Sequence, residues 1–335
     1  MKKRAIFLSP PDNPNINRVY SPELHRELEK RVDLYPVFIG RENIGQHQSA
    51  AREAVYAFST WGIPQFDETE VRTYFPKMKV LFYAAGSVQH FARPFLNCGV
   101  QVVSAAAANA IPVAEYTVAQ ILLANKGFYQ NVRLARADWK KAQTFFKTFP
   151  GNDHVKVGLL GAGAIGSRVI SLLKPFSLEI WVFDPFLPDD KAIDWGVKKT
   201  GLPEIFSNCQ TISNHLANLP ATRGILNKDC FSLMLPNATF INTGRGAQVI
   251  EEDLVEALLQ EPCRTAVLDV TDPEPPHKNS PLLLLDNVFL TTHIAGSSGH
   301  EVHRLAWFVL EDLDRYEQAQ AMQYAVTLNA LETMA

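Results

Sequence analysis

Residues 155–184 read VKVGLLGAGAIGSRVISLLKPFSLEIWVFD, and no other stretch restricts the fold as much. A β-branched and apolar run, 155–160, stops at Gly161. Gly163 and Gly166 follow, a helical run continues to Leu173, and a second apolar run, 178–183, ends in Asp184. Strand, glycine turn, helix, strand and acid in that order make a βαβ unit, which commits the surrounding chain to a parallel sheet.

Each part has a physical reason. Gly161 permits the tight turn, Gly163 lets a pyrophosphate approach the backbone with no Cβ in the way, and Gly166 lets the helix lie close on the strand. The phosphates would rest on unpaired N–H groups at the helix start, around Ala164 and Ile165. Asp184 lies eighteen residues beyond Gly166, where a carboxylate can accept hydrogen bonds from the adenosine ribose hydroxyls. It would repel a 2′-phosphate, and neither Arg nor Lys follows it closely. The expected cofactor is therefore NAD rather than NADP. A bare glycine fingerprint also fits a turn that merely packs two elements; the strand, helix and acid around this one favour the dinucleotide.

At 335 residues the chain is long enough for about two domains of ~150 residues each, and a 47% hydrophobic content can fill two cores. With 32 basic against 35 acidic residues and no basic block, nothing suggests nucleic acid, and a small-molecule partner is expected. Residues 1–14 start basic but contain only the apolar run 5–8, too short for the core of a signal peptide. No apolar run approaches the ~20 residues of a membrane span, so the expectation is a soluble, cytoplasmic protein. Cys98, Cys209, Cys230 and Cys263 form no C-x-x-C pair; they are expected as buried thiols, with neither a metal site nor a disulfide framework.

Along the chain, the run 5–8 ends at Ser9 and Pro10, and the stretch through Pro14 reads as a loop. Ser21 suits a helix cap, with Pro22 in the first turn and Glu23 behind it. Strand candidates at 33–39, 54–59, 79–83 and 100–104 alternate with helical or irregular segments, the pattern of a parallel sheet. In 105–127 (AAAANAIPVAEYTVAQILLANKG), Pro112 suits a helix's first turn and Gly127 its C-terminal cap. The residues between are apolar nearly all round, as in a helix buried on several sides that crosses between domains and touches a second subunit. Further strands are expected at 211–213, 239–242, 265–270 and 288–290 and a helix at 251–260, so the second domain is doubly wound as well.

Three loops after these strands carry unusual polar residues. Arg245 sits between glycines in INTGRG, Glu274 among prolines in LDVTDPEP, and His293 in TTHIAG. Singly, each reads as well as a surface arginine, a solvated carboxylate or a half-buried histidine. At the carboxyl ends of strands beside a nicotinamide, together, they form a set for hydride transfer. His293 would exchange the hydroxyl proton, Glu274 would fix its tautomer and favour the protonated ring, and Arg245 would grip a substrate carboxylate with two parallel N–H donors.

The glycine unit ending in VFDP, then INTGRG, LDVTDPEPP and THIAG, in this order and spacing, resemble the D-isomer-specific 2-hydroxyacid dehydrogenases. The resemblance runs from about Lys79 to Tyr316. It implies an α/β fold of two doubly wound parallel-sheet domains, a Rossmann NAD-binding domain (105–296) inserted into a flavodoxin-like substrate domain (1–104 and 297–335). It further implies Arg245, Glu274 and His293 as the catalytic residues, and a carboxylate-binding loop with backbone N–H groups at Ala84, Ala85, Gly86 and Ser87. Thr243, Gly244, Asp269 and Gly296 would line the nicotinamide side, with Asn109 in the segment joining the domains. A helix over 299–318 would return to the first domain, and the helix 113–125 would support a homodimer.

This chain departs from the family pattern in three places. Gln89-His90 replaces an Asp-Asn pair, so contacts near the substrate carboxylate are expected to differ; Val249-Ile250 replaces Val-Asp; and Leu216-Ala217 replaces the proline after the strand-end His215. The first reading is an NAD-dependent enzyme interconverting a D-2-hydroxy acid and its 2-keto acid. An NAD(H)-sensing interaction protein of the same fold, like a co-repressor, is the alternative, and a formate-type dehydrogenase, which lacks the acidic partner supplied here by Glu274, ranks below both. The loop 9–13, Trp61, Tyr83, Trp307 and, from a partner subunit, Trp139 or Phe146 could shape the side-chain pocket, although each also suits ordinary packing.

Overall fold

A computed structural model describes residues 2–334. The strands are β1 (Arg4–Phe7), β2 (Asp33–Leu34), β3 (Tyr56–Ser59), β4 (Val80–Tyr83), β5 (Gln101–Ser104), β6 (Asp153–Leu160), β7 (Ser177–Phe183), β8 (Lys198–Lys199), β9 (Thr211–Asn214), β10 (Thr239–Asn242), β11 (Thr265–Leu268), β12 (Val288–Leu290) and β13 (Ala325–Val326). They fall in two compact units: the chain up to Asn109 together with the chain from Ser297, and Ala110–Gly296.

The first unit holds a sheet in the order β13-β5-β4-β3-β1-β2, parallel except where β13 runs against β5. β3 (YAFS) and β4 (VLFY) are buried at every position, as strands covered on both faces must be, and so read as continuous apolar runs. Phe58 and Phe82 are register partners whose rings stack at 5.0 Å. Each such buried side chain stabilises the unit by about 1.5–3 kcal/mol. The strand order reverses between β1 and β3, which opens a crevice at their carboxyl ends.

The second unit is a seven-stranded parallel sheet, β12-β11-β10-β9-β6-β7-β8, with its reversal between β6 and β9. The helix Ala164–Leu173 follows β6 and buries Val169, Ile170 and Leu173 on the sheet. Both units are therefore doubly wound, the second with the Rossmann order.

Several elements differ from the sequence expectation. The strand expected at 33–39 is only β2, because Pro36 cannot donate to the ladder; Ile39 rejoins the edge by a single bridge to Leu8. The stretch read as a loop through Pro14 already starts a helix, Pro14–Val19, capped by the Asn13 side chain. The returning helix is Val302–Glu317, entered through a 3₁₀ turn at Gly299–Glu301. Cys98 and Cys263 are only partly buried, unlike Cys209 and Cys230; burial still pushes all four thiols up.

The helix expected to begin at Pro112 is longer. It spans Ala106–Asn125 with Pro112 inside, and the Ser104 hydroxyl accepts the Ala106 N–H at its start. Proline there removes one backbone bond and crowds the Ala108 carbonyl, a cost that the alanines at 106–108, 110 and 114, strong helix formers, help to offset. At 20 residues this helix is long and apolar enough, by length and composition alone, to cross a membrane, where the sequence reading expected no run of that length; a buried core helix meets the same criterion. Ala108 packs in a core of the first unit, and Ala114, Ile121 and Ala124 pack in a core of the second. Gly127, at φ +67°, ends the element.

Candidate active site

The glycine turn of the second unit is built as its spacing requires. Gly161 has φ +94°, and a Cβ there would lie 2.7 Å from the His215 carbonyl oxygen. A Cβ on Gly166 would lie 2.0 Å from the Gly161 carbonyl oxygen, so only glycine lets the helix approach the turn. Gly163 faces open space, with nothing within 4 Å of where its Cβ would be. The first N–H groups of the helix, at Ala164, Ile165 and Gly166, lie beyond reach of intrahelical acceptors. This open backbone at a helix start fits a pyrophosphate. Asp184 is fixed at the end of β7, its two oxygens accepting the Ala162 and Phe186 N–H groups at 2.7 and 2.8 Å. A carboxylate oxygen has more than one acceptor site, so each can still take a ribose hydroxyl.

β10 ends in Asn242, and the loop Thr243-Gly244-Arg245 is held by buried amides that sequence reading missed. The Asn242 Oδ1 accepts the Gly244 N–H at 3.0 Å, Asn214 Nδ2 donates to Asn242 Oδ1 at 3.0 Å and to Gln248 Oε1 at 2.6 Å, and Gln248 Oε1 accepts the Arg245 N–H at 3.2 Å. Polar residues at the ends of apolar strands were the available signal. Thr243 faces Thr117 at 3.3 Å and the His215 ring at 3.4 Å. The Arg245 guanidinium donates to the Gly244 carbonyl at 2.7 Å, and among the described residues it forms no ion pair. Burial lowers its pKa, opposed by the charge of Glu274.

The loop after β12 carries His293 in the left-handed region, φ +60°. Its N–H bonds the Asp269 carbonyl at 3.0 Å, and its Nδ1 lies 2.7 Å from Glu274 Oε1. Asp269, 2% exposed, accepts the Thr291 hydroxyl and the Ile294 N–H at 2.7 Å each and the Ala295 N–H at 2.9 Å. Its carboxylate thus clamps the turn that presents His293. Gly296 closes the turn, partly exposed. Arg245, Glu274 and His293 come from three loops of one sheet edge, as the spacing of the motifs implied.

In the first unit, the loop after β4 runs through Ala84 and Ala85, both fully buried, to the half-buried Gly86 and Ser87. Ser104 Oγ donates to the Gly86 carbonyl at 2.7 Å, and Asn109 Oδ1 accepts the Ser297 N–H at 3.0 Å. Gln89, expected near the substrate carboxylate, donates instead to the Leu331 and Met334 carbonyls at 2.6 Å each. Its amide ties down the C-terminal segment. Partial burial lowers the His90 pKa.

Residues 118–295 match the family model for the D-isomer specific 2-hydroxyacid dehydrogenase, NAD binding domain. Among relatives, D-3-phosphoglycerate dehydrogenase of Methanocaldococcus jannaschii is 35% identical over 240 residues, 70% of this chain and 45% of that protein. Human glyoxylate reductase/hydroxypyruvate reductase is 37% identical over 145 residues, 43% of this chain and 44% of that one. The chain thus spans about half the length of the curated relatives it matches. Rhodotorula graminis D-mandelate dehydrogenase has the same fold, with TM-score 0.78 at 17% identity, over 97% of this chain and 98% of that one. The chain belongs to the D-isomer specific 2-hydroxyacid dehydrogenase family, and its cofactor is NAD.

Proposed function

We propose that this chain interconverts a D-2-hydroxy acid and its 2-keto acid, with His293 as acid/base, Glu274 as its partner and Arg245 holding the substrate carboxylate. The observation that carries this reading is the 2.7 Å contact of Glu274 with His293 Nδ1. With Nδ1 engaged, Nε2 is the ring atom left to give a proton to a carbonyl oxygen or take one from a hydroxyl. Arg245 has donors to spare for a planar carboxylate, and its burial strengthens that attraction. NAD, when bound, supplies the hydride acceptor or donor.

Residues 105–296 act as the NAD-binding domain in this reading, with the pyrophosphate on Gly163, Ala164 and Ile165, the ribose on Asp184, and Thr243, Gly244 and Gly296 on the nicotinamide side. Asp269 contributes through the turn it clamps, and Asn109 through the Ser297 backbone it holds. Residues 1–104 and 297–335 act as the substrate domain, where N–H groups of Ala85, Gly86 and Ser87 receive the carboxylate. The working form is a homodimer.

The test is NADH consumption against 2-keto acids graded by side-chain size and charge, with NADPH as control and His293→Gln beside the wild type. The expected result is turnover of one class with NADH, and loss of most of kcat in the variant. A variant within a few-fold of wild type removes His293 from the role. NADH binding without turnover of any acid would favour the sensing reading.

A further inference from the structure

The carboxyl ends of β1, β3 and β4 are cross-tied in the first unit. Ser59 Oγ donates to the Leu8 carbonyl at 2.6 Å, and Thr60 Oγ1 donates to the Ala84 carbonyl at 2.8 Å. Asn13 Nδ2 donates both to Ser9 Oγ at 2.9 Å and to the Trp61 carbonyl at 2.8 Å, joining the loops that leave β1 and β3 where the strand order reverses. Gly62, at φ +87°, keeps this junction tight, since a Cβ there would lie 2.9 Å from Asn13 Nδ2. What the junction presents is a cation on an aromatic face: the Arg18 guanidinium lies 5.8 Å from the centre of the Trp61 ring. Trp61 is partly buried against both cores of the unit, whereas Arg18 is exposed, and among the described residues it forms no ion pair or hydrogen bond.

From these contacts we propose that Arg18, steadied by Trp61, binds a second anionic group at the far end of the substrate, so that the preferred 2-keto acid is one carrying a remote carboxylate or phosphate. The inference rests on the substrate reading above, in which the loop after β4 receives the first carboxylate. β3 is the direct neighbour of β4. Their ends are therefore on the order of 5 Å apart, and an acid held at the β4 loop by one end extends a short chain toward Trp61. A guanidinium over an indole face keeps N–H donors free and, being steadied by the ring, loses little rotamer freedom on binding an oxyanion. Asn13 fixes the ring's backbone and so sets where the cation stands.

The test compares 2-oxoglutarate and phosphohydroxypyruvate with the uncharged 2-oxopentanoate, in wild type, Arg18→Gln and Arg18→Lys. Turnover with NADH is measured together with calorimetric binding of each acid to the NADH-loaded protein. Expected is a rise of KM and Kd of about 10- to 100-fold for the anionic acids in Arg18→Gln, little change for 2-oxopentanoate, and an intermediate effect in Arg18→Lys. Whichever anionic acid suffers more in Arg18→Gln identifies carboxylate or phosphate as the natural group. Equal losses for charged and uncharged acids, or none, overturn the inference while leaving the enzymatic reading intact. If no 2-keto acid turns over, that reading fails, and the calorimetric arm alone decides: absence of Arg18-dependent binding of both anions overturns the inference as well. Arg18 is exposed, so its replacement should leave the fold unchanged, which circular dichroism checks.

Discussion

At the scale of single residues, the second unit separates side chains that stand open to solvent from those that hold them in place. His293 and Glu274 are both partly exposed and touch each other, whereas Asp269 is buried and spends its carboxylate on the turn beneath His293. Asp269→Ala is therefore expected to lower kcat by displacing the turn and to cost about 1–3 kcal/mol of stability by leaving buried donors unpaired. Asp269→Asn, which keeps one acceptor oxygen, should recover part of both; equal effects from the two variants would deny the clamp. His215 offers a test independent of catalysis. Burial lowers its pKa to about 3, so the folded ring is neutral where the unfolded ring, with an ordinary value near 6.5, takes a proton. The stability it allows is fully present above pH ~6.5 and is lost as pH falls toward 3, at about 1.4 kcal/mol per unit. Urea unfolding of wild type and His215→Asn at pH 7 and pH 5 should show about 2 kcal/mol less loss in the variant. Parallel losses would mean that another group governs the acid limb.

At the scale of elements, the glycine turn separates shape from binding. Gly163 faces open space, so Gly163→Ala should leave the melting temperature nearly unchanged; with the pyrophosphate on this turn, as proposed, the added methyl should weaken NADH. Gly166→Ala drives a Cβ into the Gly161 carbonyl and should lower the melting temperature itself, the helix being forced off the strand. Fluorescence titration and thermal melts decide this; unaltered NADH affinity in a stable Gly163→Ala would put the phosphates elsewhere. This turn was legible in the sequence because local geometry dictates its residues, and the helix Glu251–Gln260 was legible to the residue because its apolar face repeats cleanly. The long helix was misjudged at its start, since Pro112 reads as a first-turn residue and only the packing of Ala108 carries the helix back before it. The amide network of Asn214, Asn242 and Gln248 was illegible for a related reason: its members are distant in sequence, and only the parallel register of β9 and β10 brings two of them side by side.

At the scale of the whole molecule, the surface that follows the long helix is harder to reconcile with a chain acting alone. Leu123 at the end of that helix, Phe128 at the start of the helix Phe128–Ala137, Trp139 at the start of Trp139–Phe145 and Phe146 after it are all exposed, Trp139 by 72%. Successive elements each leave a large apolar side chain partly in water, where each forgoes a fraction of the about 1.5–3 kcal/mol that full burial supplies. Ile193, 77% exposed on the helix Asp189–Trp195, lies outside this stretch. A second copy packing on the aromatic stretch would recover that burial, and a stable dimer needs about 800 Å² from each partner. Light scattering on the wild type should give twice the chain mass, and Trp139→Glu should shift it toward a single chain at micromolar concentration, with Ile193→Glu unchanged as control. If Trp139→Glu leaves the dimer intact, the seam lies on another face. If it yields a folded monomer whose kcat is preserved, dimerisation through this surface serves stability and the chemistry belongs to each chain separately.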